Sequence, residues 1–393
     1  MKHMLIILLT LGLIMSVAAQ DIELRPDHPR EYIVQEGDTL WDIAGRFLTR
    51  PWQWPAIWQA NPDIENPHLI FPGDRISLVF IGGEPRLVAE GTRRLSPEVR
   101  RERIVGPINT IPYDAIAPFL RNPRIIDPDQ IAELPYIVAN IEQRIYAGSG
   151  DRTYARGMSN ARAGDEVVIA RMTYQFVDRS EPNGRQQLRR NRIRPDGGQV
   201  PFGERATGSV WQATLGQLER FNYPVIGYEL WEAARARVIQ AGDPAILEII
   251  GGRREVSAGD FVLPIDDYRH DLSFAPRAMD DAPEGTVLSV SEAYYGAGHY
   301  QIVAISLGTN DGIQPGHTFS AFRPGQTIRD PQANHPARRG RQAEISSHVA
   351  LPDEYAGVLM VFRPFEHISY AIVLDGTNAI RIGDILSHPD RRL

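Results

Sequence analysis

EYIVQEGDTLWDIAGRFLTRPWQWPAIWQANPDIENPHLIFPGDRISL, residues 31–78, decides how the rest of this chain is read. Tyr32-Ile33-Val34 is a short β-type run, and Gln35-Glu36-Gly37-Asp38 supplies a turn after it. Thr39 then stands as a helix N-cap with Asp42 three positions on, and Leu40, Ile43 and Phe47 recur at helical spacing. Pro55 suits the first position of a second helix through Ala56, Ile57, Trp58 and Ala60, which Asn61-Pro62 ends. Leu69-Ile70-Phe71 leads into a Pro72-Gly73 turn, and Arg75-Ile76-Ser77-Leu78 closes the unit. The expected order is strand, helix, helix, strand.

These anchors resemble a LysM module, a small βααβ domain (α+β) that binds N-acetylglucosamine polymers. They include Tyr32-Ile33-Val34, Gly37-Asp38-Thr39-Leu40-Trp41, Ile43-Ala44, Asn61-Pro62 and Leu69-Ile70-Phe71-Pro72-Gly73. The family usually carries Tyr where this chain has Phe71. The resemblance implies a shallow glycan groove in which Gly37, Asp38, Thr39 and Leu40 face Asn61, Pro62, Asp63 and Ile64. Backbone amides and carbonyls there would pair with the sugar acetamides. Trp41, Ile43, Ile57 and Trp58 read as core, whereas Trp52 and Trp54 have indoles placed to pack on a sugar or on a protein neighbour.

Ahead of this module, Lys2 and His3 precede an uncharged, mostly apolar run from 4 to 15, then Ser16-Val17-Ala18-Ala19. That is the build of a secretory signal cut after Ala19, the competing reading being a retained membrane anchor. No later segment approaches transmembrane length, so no transmembrane segment is expected after cleavage. The chain has no cysteine, which excludes disulfides and thiol-linked lipids. A net charge of −7 offers no electrostatic footprint for nucleic acid.

Dispersed Gly (34) and Pro (30) favour short strands and many turns downstream. Residues 81–85 (Ile-Gly-Gly-Glu-Pro) read as a linker, and 86–103, dense in Arg and Glu, as solvated connecting chain. Short helices are expected at 114–120 and at 128–134 behind an Asp127 cap. From Pro135 the texture becomes β, with strands expected at 136–139, 144–148, 165–170 running on towards 174–177, 206–218, 226–238, 245–250 and 261–263. After a linker at 276–284 six more follow, at 286–290, 301–306, 317–322, 356–362, 368–374 and 384–387. The expected organisation is therefore multidomain. A signal (1–19) and the LysM-like module (31–79) precede a linker with short helices (80–134), then mostly-β middle (135–275) and C-terminal (284–393) modules.

Gly-Asp before an apolar strand recurs at Gly73-Asp74, Gly164-Asp165, Gly259-Asp260 and Gly383-Asp384, with Gly316-His317 as a variant. Glycine permits the positive φ of such turns and Asp bonds the turn backbone, so these read as turn chemistry and not as metal ligands.

Catalytic templates fail one after another. A cysteine nucleophile is absent. The histidines are scattered without the H-E-x-x-H or H-x-H spacing of zinc peptidases. Ser346-Ser347-His348 has no nucleophile elbow around it. The pairs Asp266-Asp267 and Asp280-Asp281 fall beside linkers and read as solvated loop. The expectation is no enzyme, no catalytic residue, no metal and no cofactor. Arg185, Arg189, Arg190, Arg192 and Arg194, and the smaller group Arg338, Arg339 and Arg341, read as solvated loops, with an acidic partner as the alternative.

The wider layout resembles the LysM proteins associated with type IV pilus secretins in Gram-negative bacteria. The C-terminal residues behind that are 311–317 (Asp-Gly-Ile-Gln-Pro-Gly-His), Met360-Val361-Phe362-Arg363, 368–373 and Ile382-Gly383-Asp384. The resemblance implies a periplasmic, wall-associated adaptor between peptidoglycan and the outer-membrane secretin ring. A generic wall-binding envelope protein and a wall hydrolase are the alternatives.

Overall fold

A computed structural model describes residues 22–58, 70–90, 111–121, 123–177, 211, 225–265, 274–291, 296–330 and 348–391. The signal segment, Asn61, Pro62, Asp63 and Ile64, the strand expected at 206–218 apart from Trp211, and both arginine-rich loops lie outside the described residues.

The N-terminal unit has β1 (Glu31–Ile33), α1 (Leu40–Phe47), α2 (Trp54–Trp58) and β2 (Arg75–Ile81), with a 3-10 turn at Pro51–Gln53 between the helices. Leu40, Ile43, Phe47, Ile57, Ile70 and Ile76 form its core, as the helical spacing requires. The reading of residues 81–90 as linker and connecting chain is overturned. Gly82 and Gly83, at φ 63° and 90°, turn the chain back into β3 (Glu84–Glu90), which pairs along all of β2. Gly-Gly between two strands is a tight hairpin signal, and the alternating Leu87 and Ala89 were hidden among charges. Leu87 is buried in the module core.

Next come α3 (Tyr113–Arg121), β4 (Pro123–Ile126) and α4 (Pro128–Ile131), so both helices expected from the sequence form. Asp127 is the N-cap of α4 but its side chain makes no capping bond. The middle region adds β5 (Tyr136–Asn140), β6 (Tyr146–Ala147), β7 (Arg152–Arg156), β8 (Glu166–Val177) and β9 (Val225–Gln240). It continues with β10 (Ala245–Gly252), β11 (Val256–Ser257) and β12 (Phe261–Pro264). One sheet runs in the order β10-β7-β5-β12-β8-β9-β4, and β10 also pairs with β9, so six strands return on themselves, while β6 pairs with β11 in a separate two-stranded sheet. Because β4 belongs to the larger sheet, the β-rich body begins inside the stretch expected to be linker.

The C-terminal strands are β13 (Gly285–Val290), β14 (Ile302–Ile305), β15 (Thr318–Arg323), β16 (Thr327–Arg329), β17 (His348–Ala350), β18 (Glu354–Pro364), β19 (Ser369–Gly376) and β20 (Ile385–Ser387). Six of them close a barrel in the order β13-β14-β19-β18-β15-β20. Leu359, Val361, Ala371 and Val373 fill its interior with Phe319 and Leu386. The alternate residues Val358, Met360, Phe362, Tyr370, Ile372 and Leu374 belong to a second core on the outside. That outer core is completed by Ile116, Phe119 and Leu120 of α3, Tyr174 and Phe176 of β8, Trp211 and, from the N-terminal unit, Trp41. Burial on both faces explains why β18 and β19 are continuously apolar instead of alternating.

The Gly-Asp turns behave as expected and are more numerous. At Gly73, Gly164, Gly259 and Gly383 φ lies between 88° and 98°. Each following Asp accepts the backbone N–H three residues back: Phe71 at 2.9 Å, and Arg162, Ser257 and Arg381 at 2.8 Å. His317 does the same with Nδ1, accepting from Gln314 N–H at 3.2 Å. Gly150-Asp151 and Gly37-Asp38 are two further copies, accepting from Gly148 and Gln35 at 2.9 and 2.7 Å.

Candidate glycan-binding turn and its surroundings

The first strand-helix turn is built from its own polar side chains. Gly37 sits at φ 95° with open space around its α-carbon. The Asp38 carboxylate accepts from Gln35 N–H and, at 2.9 Å, from the Tyr32 hydroxyl. Thr39 caps α1 in a full capping box: its Oγ1 accepts from Asp42 N–H at 3.2 Å while Asp42 Oδ2 accepts from Thr39 N–H at 3.1 Å. Leu40 is buried in the module core. The side chains of Asp38, Thr39 and Leu40 are therefore committed to turn, cap and core, so what this segment presents to a ligand is backbone. Gly37 is exposed and Asp38 half-buried, so that backbone is at the surface. The facing residues Asn61 to Ile64 are among those not described.

The tryptophans divide in a way the sequence left open. Trp54 and Trp58 are buried in the module core with Ile57. Trp41 is 3% exposed, yet it packs against the C-terminal barrel and not into its own module. Trp52 also packs on that outer core, so its indole meets a protein neighbour. A cleft of about 400 Å³ runs along the seam, lined by Trp41, Trp52 and Tyr355 with Glu23, Asp375 and Asp390 among the charges. Arg50 pairs with Asp390 across the same seam at 3.3 Å.

One contact across this seam reaches the candidate turn itself. The Tyr300 hydroxyl donates to Asp42 Oδ2 at 2.7 Å and lies 3.0 Å from Thr39 Oγ1. Thr39 Oγ1 donates to the same carboxylate oxygen at 2.6 Å. His299 stacks on Tyr300 with ring centroids 3.7 Å apart, and its Nε2 is 3.9 Å from Asp42 Oδ1. Nothing in the sequence around Gly298 to Gln301 marked this turn as a neighbour of Thr39.

Two further polar sites escaped the sequence reading. Glu229 of β9 is fully buried, with Oε1 accepting from Trp211 Nε1 (2.6 Å) and Tyr370 Oη (2.7 Å), and Oε2 from Thr173 Oγ1 (2.7 Å). Burial pushes its carboxyl above the usual range and outweighs these donors. Among the described residues, Asp127, Glu366 and His367 bring potential metal-donor atoms within 4.8 Å of one another. Burial, and then a hydrogen bond with Glu366, push Asp127 up to about 6. The residues are some 240 positions apart, so no short motif could have announced them.

No helix among the described residues is long and apolar enough to cross a membrane. Residues 32–79 match the LysM domain family. Over 60 residues the chain is 38% identical to the uncharacterized protein YqbP of Bacillus subtilis (strain 168), which is 13% of this chain and 27% of that protein. The chain thus spans little more than a quarter of that relative's length. Residues 32–79 are a LysM domain, a module for binding peptidoglycan and related carbohydrates, followed by a mostly-β C-terminal region.

Proposed function

We propose that this chain is a non-catalytic adaptor of the periplasm. Its LysM domain holds N-acetylglucosamine-containing peptidoglycan, and its β-rich body holds a protein partner, the outer-membrane secretin ring of the type IV pilus machinery. The observation that carries the wall-binding half is the turn from Gly37 to Leu40, whose side chains are consumed internally so that a fixed backbone faces outward. The secretin half rests on the looser resemblance of the C-terminal motifs at 311–317, 360–363, 368–373 and 382–384. A generic wall-binding envelope protein is the second reading, favoured by a family match that stops at residue 79.

The test uses the full-length protein lacking residues 1–19. It should pellet with isolated peptidoglycan sacculi, leave their muropeptide profile unchanged, and co-purify with secretin from envelope extracts. Gly37→Val meets no steric obstacle but forces a β-branched residue to φ 95°, straining the backbone by about 1–3 kcal/mol and deforming the turn. The variant should lose sacculus binding by about tenfold while keeping secretin and its circular dichroism spectrum. Pelleting equal to wild type would remove the turn from the binding site. Loss of both partners by a folded variant would sink the idea of two independent ends, and absence of secretin from the wild-type eluate would favour the second reading. Any fragment used must run to residue 90, because β3 completes the sheet.

A further inference from the structure

Tyr300 occupies an unusual place. Gln301 N–H donates to Gly298 O at 3.1 Å, making residues 298–301 a tight turn whose third residue is Tyr300. Tyr300 has φ 61°, a conformation that this turn position ordinarily reserves for glycine or asparagine. The turn is held rigidly all the same: Tyr300 N–H donates to Val373 O at 2.7 Å, and Gly298 N–H to Gln301 Oε1 at 2.7 Å. A bulky side chain kept in a strained backbone state points to a benefit elsewhere.

That benefit lies in the LysM domain. The Tyr300 ring packs on the outer core that includes Trp41, and its hydroxyl ends at Asp42 Oδ2 beside Thr39 Oγ1. This carboxylate oxygen takes three donors, namely Thr39 N–H, Thr39 Oγ1 and the Tyr300 hydroxyl. Burial, followed by the hydrogen bond to Asp42, outweighs the Thr39 contact and holds the Tyr300 phenol above its ordinary pKa, so it remains a donor. Asp42 in turn fixes the Thr39 amide, and with it the peptide between Asp38 and Thr39.

We infer that Tyr300 of the C-terminal barrel is a positioning residue of the LysM glycan site, preorganising the backbone from Asp38 to Thr39 by clamping the Asp42 carboxylate. The inference rests on the reading of this turn as glycan-binding. Its physical content is that a ligand recognised by backbone amides binds more tightly when those amides need not be ordered on arrival. The LysM domain of this chain is then completed by a residue more than 250 positions away.

The experiment is a calorimetric titration of the full-length protein with N-acetylglucosamine tetramer, comparing wild type, Tyr300→Phe, Asp42→Ala and the double variant. Phe keeps the ring and deletes the one donor. Tyr300→Phe should weaken binding about three- to tenfold, the scale of one ordinary net hydrogen bond. In the Asp42→Ala background the same change should add nothing, because its target is gone. Hydrogen exchange read on peptides covering 37–43 should quicken in Tyr300→Phe, while peptides from β18 and β19 stay protected. Equal affinity of Tyr300→Phe and wild type would overturn the inference, as would fully additive losses in the cycle. Tighter binding by Tyr300→Phe would overturn it too, showing that the barrel obstructs the site. A wild-type chain that fails to bind the tetramer would bring down the glycan reading itself, and this inference with it.

Discussion

His317 stands where four other turns of this repeated kind carry an aspartate that the sequence reading had singled out. It shows how far one motif tolerates substitution. Its Nδ1 must be unprotonated to accept the Gln314 N–H, and the ring is only 7% exposed. Burial, and then the Arg277 guanidinium, push His317 down to about 4. In the unfolded chain the imidazole titrates near 6.5, so between about pH 6.5 and 4 the unfolded state binds more protons. Its contribution to stability is therefore present above about 6.5 and is lost as pH falls toward 4. His317→Asp restores the residue used at Gly259-Asp260 and Gly383-Asp384, whose aspartates are equally buried. The variant should keep the fold, and its melting temperature should fall less than that of wild type across this window. A steeper fall would contradict the neutral-acceptor role.

At the scale of elements, α3 depends on a strand far along the chain. The helix contains Pro118 and ends in a core of Ile116, Phe119 and Leu120 against the barrel. Its last carbonyls are met by Arg363 of β18, whose Nη1 donates to Phe119 O and, at 3.1 Å, to Leu120 O. A buried cation at a helix C-terminus answers both the unpaired carbonyls and the negative end of the dipole. Arg363→Met keeps apolar length but leaves those carbonyls without this donor, and should destabilise the chain by about 1.5–3 kcal/mol in denaturant titration. An unchanged midpoint would mean that water replaces the guanidinium at no cost. Here the pattern of the helix was legible in the sequence, since Asp114 to Leu120 carries it. The cap was not, because its donor lies on another module.

For the whole molecule, the decisive feature is the core between the two β-bodies, with Glu229 at its centre. Three donors from β8, β19 and the segment around Trp211 converge on this one side chain. Glu229→Leu would leave three buried donors unmet, at about 1–3 kcal/mol each, and should be severely destabilising. Glu229→Gln keeps an acceptor for Trp211 and Tyr370 and an N–H₂ that Thr173 Oγ1 can accept, and should retain most stability. Since burial raises the folded-state pKa, the wild-type carboxyl contributes stability below its unfolded value and loses it as pH rises through the folded one. The Gln variant lacks this loss, so urea midpoints of the two should draw together or cross as pH increases. Parallel pH curves would show that Glu229 does not titrate on unfolding. Removing residues 285–393 would uncover Tyr174, Phe176 and Trp211, which share this core.

The sequence by itself determined the local structures whose physics is local. Thr39 with Asp42 wrote a capping box, Gly-Asp pairs wrote turns, and the apolar spacing of residues 40–47 wrote a helix, all within a few residues of chain. It also carried the LysM pattern, because that fold closes within about fifty residues. Where sequence reading failed, the deciding contact was distant or masked by charge. β3 looked like linker because Leu87 and Ala89, the residues that pack on the module core, were diluted by arginine and glutamate, and pairing with β2 settled it. Trp41 was legible as core, but only the tertiary structure decided whose core, since its partners lie on the C-terminal barrel. Tyr300 and Glu229 carry no motif, and the run Met360-Val361-Phe362-Arg363 did not announce what Arg363 does. Each takes its role from a partner more than a hundred residues away, brought within hydrogen-bond distance by the packing of separate modules.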